Sequence, residues 1–374
     1  MKPLIIVGAA LLGGVFAAPV HAADPATPDM QAKYLAGISL AGTALGDLEQ
    51  EPAWREHSRD FQKAWAEVDK RQVSKIAAWM PQVAGVTYQD TSPLFYLFSG
   101  PDFLYAHAFF PNAATTIMCG IEPVGSPPDV AMLAPESRAA SLRNLRKSLE
   151  TVLAFSFFKT KDMKNDLQNT ALNGTLPVLY LFIAHAGCTI QSAESVWLDE
   201  KGELVQERAK VPGARITFTG PSGKPQTLFY FSSDLSDEGI KRNPAFMTFC
   251  DKQGQGNSFA KAASYLMHRS DFSTVRDFLL AHSKTIIQDD SGIPYRFFKP
   301  GEWVVRLAGH YRGPIDLFKE CYQSDLEQAF RAQPALDLPF SAGYRWHSNE
   351  SSLILATALK AIPKAVPTAE VVKP

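Results

Sequence analysis

The chain has 374 residues, with 37 Lys and Arg against 38 Asp and Glu and a formal net charge of −1. Acids and bases are interspersed, so nothing builds the basic stripe that a nucleic-acid backbone demands, and no nucleic-acid partner is expected. Apolar residues make up 46% and charged ones 20%, enough for a sizeable core, and the length predicts two domains or one two-lobed domain.

The first element is an export signal. Met1 and Lys2, an apolar run from Leu4 to Val15, and small residues up to Ala22 have the pattern of a cleavable signal peptide over residues 1–22. Val20 and Ala22 take the −3 and −1 positions. The apolar run is shorter than the roughly 20 residues that span a bilayer, which opposes a retained anchor. No Cys follows the cleavage point to receive a lipid. A short signal with a single Lys favours a bacterial cell, and the expected location is periplasmic or secreted. No transmembrane segment is expected after cleavage.

Residues 23–42 read as a polar lead-in, 43–361 as a two-lobed globular region with approximate halves 43–240 and 241–361, and 362–374 as a disordered tail. From Asp47 to Gln82, Phe61, Trp65 and Val68 follow the i, i+4, i+7 rule and predict an amphipathic helix or helix pair. Its three tryptophans fit a buried stripe better than a sugar-stacking platform. A strand is predicted at Leu94–Phe98, a helix from Asp102 to Phe110, a second strand at Thr115–Ile121, and a long helix from Glu136 to Asn169. The most apolar stretch, Leu176–Ala186, reads as a buried strand, being about half the length of a membrane helix. Ile190–Leu198, Arg215–Thr219 and Thr227–Phe231 read as strands joined by turn sequences. Helices are predicted at Pro244–Cys250, Phe259–His268, Phe272–His282 and Pro314–Arg331, with strands at Thr285–Gln288 and Trp303–Leu307. The fold class is therefore α/β (or α+β) with a central β-rich segment.

An internal duplication is suggested by a shift of 169 positions. It brings Tyr96, Leu97, Asp102, Phe103, Phe109, Thr116 and Ile117 onto Tyr265, Leu266, Asp271, Phe272, Phe278, Thr285 and Ile286. Asp102 and Asp271 read as helix N-caps in the two copies.

Cys119, Cys188, Cys250 and Cys321 allow three pairings in an oxidising compartment, and none stands in a CxxC. Cys119 and Cys188 lie in apolar runs where free thiols are common. No histidine pair has zinc-site spacing, and no glycine-rich phosphate loop or dinucleotide fingerprint occurs. Ser99, between a strand and a helix, lacks the G-x-S-x-G frame of a nucleophile elbow and remains a candidate binding residue. Glu122, Asp289 and Asp290 directly follow predicted strands, where α/β sheets border their ligand crevices. They are the candidate catalytic acids, as an acid/base pair or a seat for a hard cation. The plainer alternative is turn chemistry, since Asp290-Ser291-Gly292 is a good turn sequence. His310 and Tyr311, after the last predicted strand, are further binding candidates. The metal and the cofactor, if any, are left open.

The strings Leu94-Phe95-Tyr96-Leu97-Phe98-Ser99-Gly100-Pro101-Asp102-Phe103-Leu104-Tyr105 and Gln288-Asp289-Asp290-Ser291-Gly292-Ile293-Pro294-Tyr295-Arg296-Phe297-Phe298 resemble segments of an uncharacterised family of exported bacterial proteins. The resemblance spans most of the mature chain and implies no activity, cofactor or catalytic residue. The functional expectation is an exported binding or envelope-associated protein, its partner a small molecule or an envelope component. The alternative is a hydrolase or metal-dependent enzyme whose carboxylates converge in an inter-lobe cleft, within the roughly 10 Å that such sites span.

Overall fold

The computed structural model describes residues 26–155 and 171–362. The signal segment, the predicted helix end at 156–169 and the tail at 363–374 lie outside the described residues.

The fold is α/β, built on one ten-stranded mixed sheet with helices on both faces. Strands in chain order are β1 (Leu94–Tyr96), β2 (Thr115–Gly120), β3 (Thr189–Leu198), β4 (Leu204–Val205), β5 (Val211–Thr219), β6 (Pro225–Ser232), β7 (Gly256–Ala260), β8 (Ser283–Gln288), β9 (Trp303–Gly309) and β10 (Ser352–Ala358). Their order across the sheet is β4-β3-β5-β6-β2-β1-β7-β8-β10-β9. The five central strands, β6-β2-β1-β7-β8, are parallel, and antiparallel strands extend the sheet on each side. Every strand before residue 240 lies on one side of the β1/β7 seam and every later strand on the other.

The central strands are buried on both faces, which explains their near-continuous apolar sequences. Leu94 and Tyr96 of β1 face one core and Phe95 the other; Leu228 and Tyr230 of β6 alternate with Phe229 and Phe231 in the same way. The first core is covered by α1 (Pro28–Leu35), α2 (Pro52–Val68), α3 (Ser74–Gln89), α4 (Phe103–Phe109), α5 (Pro135–Phe155) and α6 (Leu176–His185). The second is covered by α7 (Asp237–Arg242), α8 (Ala245–Lys252), α9 (Ser273–His282) and α10 (Ser324–Ala332).

Helices α4 and α9 each connect two parallel strands, β1 to β2 and β7 to β8, but they cover opposite faces of the sheet. The reason is handedness. Such crossovers are right-handed, and the first steps outward from the β1/β7 seam in one direction while the second steps outward in the other. The seam is therefore a topological switch point, with the carboxyl ends of β1 and β7 side by side.

Several sequence expectations are corrected. Leu176–His185 is a helix, not a strand: it is buried on every side, so it has no polar face to mark its period. Pro177 opens it, and Gly187 (φ +71°) closes it. Cys188 N–H donates to Ile183 O at 3.1 Å and Gly187 N–H to Ala184 O at 3.0 Å, the Schellman pattern. Phe259–His268 is not a helix: Phe259 and Ala260 end β7, and a strained loop follows. Pro314–Arg331 divides into a 3-10 turn at Asp316–Cys321 and the shorter α10. The lead-in is not wholly outside the core, because α1 buries Tyr34 and Leu35.

The 169-residue shift aligns the starts of α4 and α9 and the bounds of β2 and β8 to within one residue, but α9 runs on four residues further, and Tyr265 lies beyond β7 whereas Tyr96 ends β1. Asp102 caps α4, accepting from Tyr105 N–H at 3.4 Å. Asp271 does not cap α9 and pairs with Arg269 instead. The first N–H groups of α9, from Ser273 and Thr274, are taken by Asp237 at 3.2 and 2.8 Å. The four cysteines are free thiols.

Candidate functional site

At the carboxyl edge of the seam, two loops meet. Ser99–Asp102 leaves β1 and Lys261–Tyr265 leaves β7. Lys261 Nζ lies 2.9 Å from Asp102 Oδ2, with both side chains almost wholly buried. Tyr96 OH donates to the same carboxylate oxygen at 2.9 Å, and the Lys261 ammonium sits 3.6 Å from the centre of the Tyr105 ring. A charge this deep persists only when paired and hydrogen-bonded. Burial pushes the Asp102 carboxyl up and Lys261 down, and each partner draws the other back towards its charged form.

The loop after Lys261 is strained. Ala262, Ser264 and Tyr265 all have left-handed φ values of 51°, 52° and 54°. Non-glycine residues rarely adopt this region, and such strain of order 1–3 kcal/mol per residue persists only where the surroundings over-determine it. Here they do. Tyr344 OH donates to Ala262 O at 2.7 Å and accepts from Ser264 N–H at 2.9 Å. Ala262 N–H donates to Asp289 Oδ2 at 2.9 Å, and Ala263 N–H to Ser291 Oγ at 2.7 Å. Tyr265 OH donates to Asp290 Oδ2 at 2.5 Å.

Asp289 and Asp290 follow β8, as expected from the sequence, and both are buried. Asp289 uses its Oδ1 in the turn itself, accepting from Ser291 N–H at 2.9 Å and Ser291 Oγ at 2.5 Å. Gly343 (φ +62°) lies directly against its Oδ2, where a Cβ would collide. Asp290 is different. Burial and then the neighbouring Asp289 raise its carboxyl to about 7, against the pull of the Tyr265 hydroxyl and Arg345. The turn reading therefore applies to Asp289.

Arg345 also lines a hollow of about 340 Å³ with Ile315, Tyr344, Trp346, His347 and Glu350. Trp346 is 63% exposed at its rim. The hollow thus opens beside Tyr344, which holds the strained loop; Asp290 does not line it and feels it only through the charge of Arg345.

Glu122 does not join this cluster. It follows β2, and β1 and β7 stand between it and the aspartates; three strand spacings of about 4.8 Å put them roughly 14 Å apart. It is buried next to Tyr230 OH, 3.3 Å from its Oε2. No group of three or more His, Cys, Asp and Glu side chains able to hold a metal ion occurs among the described residues.

Ser99 Oγ faces backbone carbonyls, 2.7 Å from Gly100 O and 3.2 Å from Cys119 O, which holds the turn and leaves it without a general base. Tyr311 OH accepts from Gln323 N–H at 2.9 Å, and Gln323 Nε2 donates to Asp290 O at 2.9 Å, so Tyr311 supports the aspartate turn. His310 is exposed and contributes its backbone N–H to Ser351 O at 2.7 Å. A buried Cys188–His107 contact, at 3.7 Å, is not a nucleophile pair. Burial pushes the thiol up to about 12 and the imidazole down to about 4, so both are neutral at pH 7.

Lys261, Tyr265 and Tyr344 were not legible as site residues in the sequence. One signal was present: a lone lysine in the small, apolar run Phe259-Ala260-Lys261-Ala262-Ala263 has no polar face to occupy. Among the described residues no helix is long and apolar enough to cross a membrane. No protein-family model, no curated protein and no solved structure matches the chain.

Proposed function

We propose that this chain is an exported binding protein of the bacterial envelope that takes a small polar ligand at the carboxyl edge of its sheet, in the hollow lined by Tyr344, Arg345, Trp346 and Glu350. The observation that carries this reading is the strained loop with left-handed Ala262, Ser264 and Tyr265, held over buried Lys261, Asp289 and Asp290 at the switch point. Strain and buried ionisable groups concentrate where a fold keeps a site preorganised. Arg345 supplies a planar donor fork, Glu350 an acceptor, and Trp346 an apolar wall.

Export rests on the sequence of residues 1–22, and cell fractionation with sequencing of the mature N-terminus tests it: the expected first residue is Ala23. For binding, native mass spectrometry of protein recovered from its own compartment is compared with the denatured mass. A small molecule lost on denaturation, and absent from Arg345→Ala, is the expected result; a bare native mass for the wild type argues against a tightly held ligand.

Asp290 favours a second reading. A carboxyl titrating near 7 can give and take a proton at neutral pH, which suits an acid/base enzyme. Turnover of any member of an ester, glycoside and phosphate substrate panel, abolished by Asp290→Asn with the fold intact, would move the assignment to an enzyme.

A further inference from the structure

A second hollow, of about 750 Å³, opens at the opposite, amino edge of the same half of the sheet. Its floor is the starts of β7 and β8, with Asn257 and Thr285, and its wall is the last turns of α3. That wall is bent for a physical reason. Pro81 lies inside α3, and Ala84 leaves helical geometry at φ −143°, ψ 44°. The bend frees the Val83 carbonyl, which takes the Arg306 guanidinium from β9. Lys284 Nζ, from β8, is held by Ser92 Oγ at 2.5 Å and lies 3.5 Å from Asp90 Oδ2. Lys360 Nζ, just after β10, is held by Ala281 O at 2.8 Å.

Three cations and one carboxylate, Asp90, therefore line this hollow. Asp90 is already engaged by Ser92 and by Asn257 Nδ2, at 2.9 and 3.0 Å. Arg306 and Lys360 are anchored only by neutral carbonyls among the described residues, leaving two positive charges without a carboxylate counterpart. Concave walls focus such a field and concentrate anions. The cations come from three separate elements, with no glycine-rich loop to converge them on one compact phosphate. The volume lies within the range of small-molecule sites.

We infer that this amino-edge hollow binds an organic dicarboxylate, its two acid groups taken separately by Arg306 and Lys360. This site is independent of the carboxyl-edge hollow.

The test is calorimetric titration of the full mature chain with α,ω-dicarboxylates from succinate to azelate at low ionic strength, with inorganic phosphate and monocarboxylates as comparisons. The expected result is saturable one-to-one binding with an optimum chain length, weakened at least tenfold by Arg306→Gln and by Lys360→Gln. Both side chains are exposed, so circular dichroism and thermal melting should be unchanged in these variants. Arg345→Gln, at the other edge, should leave the titration unaltered, which separates this inference from the proposed function. No saturable binding by any dicarboxylate, binding of phosphate alone, or affinity unchanged in both variants would overturn it.

Discussion

The pair Lys261–Asp102 ties the two halves of the chain together at the point where the sheet reverses its winding. Its worth is conditional. Removing one partner leaves the other buried and uncompensated, which typically costs about 3–5 kcal/mol, whereas removing both need not. Lys261→Met is therefore expected to lower the free energy of urea unfolding at pH 7 by about 3–5 kcal/mol. The double variant Asp102→Asn with Lys261→Met should lose clearly less than the sum of the single losses. Additive losses would mean that the two side chains act separately. The side-chain oxygen at position 102 can still accept from Tyr96 OH or Tyr105 N–H in every variant, so the comparison reports the charge pair.

Among the elements, the helical layer formed by α1, α2 and α6 carries its own pH dependence. His57 of α2 is fully buried, its Nε2 lying 2.8 Å from Leu35 O. His185 of α6 stacks on Trp65, ring centres 4.0 Å apart. Burial pulls His57 down to about 4, against the help of the Leu35 carbonyl. Burial, and then the nearby His57, pull His185 down to about 3. The folded state thus refuses protons that the unfolded chain accepts from about pH 6.5 downwards. Stability from these two rings is complete above pH 6.5 and is lost as pH falls towards 4, by up to several kcal/mol. Asp290 works with the opposite sign, because the folded state takes up its proton near pH 7 and the unfolded chain only near 4. The clean measurement is a difference: the fall in unfolding free energy between pH 6.5 and 4.5 should be smaller in His57→Gln than in wild type. An identical slope would show that His57 binds its proton equally in the folded and unfolded states.

At the scale of the molecule, the seam between the halves is short in backbone terms, with Leu94 opposite Asn257 and Phe95 opposite Ser258. Side chains widen it. Tyr96 packs on Phe259 at 4.8 Å between ring centres, Phe95 on Phe278 at 5.4 Å, and Trp79 Nε1 donates to Asp337 O at 2.7 Å. Both cores run across the seam, so the halves are expected to unfold in one transition. Trp54, Trp65, Trp79 and Trp197 make fluorescence report mainly the first half, while backbone amide exchange in β8 and β10 reports the second. Coincident urea midpoints are the expected outcome; separated midpoints would show that each half stands alone.

What the sequence by itself determined was whatever depends on local chemistry. Alternating and continuous apolar runs identified β1, β2, β3, β5, β6, β8 and β9, turn residues marked the hairpins, and the Phe61-Trp65-Val68 stripe marked α2. Strand ends carrying acids correctly pointed to Asp289 and Asp290 as residues of the carboxyl edge. The tertiary structure decided the rest, because it depends on neighbours distant in sequence. A segment buried on all sides loses the period that distinguishes helix from strand, which is why α6 read as a strand. A left-handed loop of ordinary residues exists only because Tyr344 and Asp289, from far along the chain, hold it, so Lys261–Tyr265 read as a helix. Strand order, invisible in the sequence, set Glu122 apart from the aspartates and brought Lys261 against Asp102.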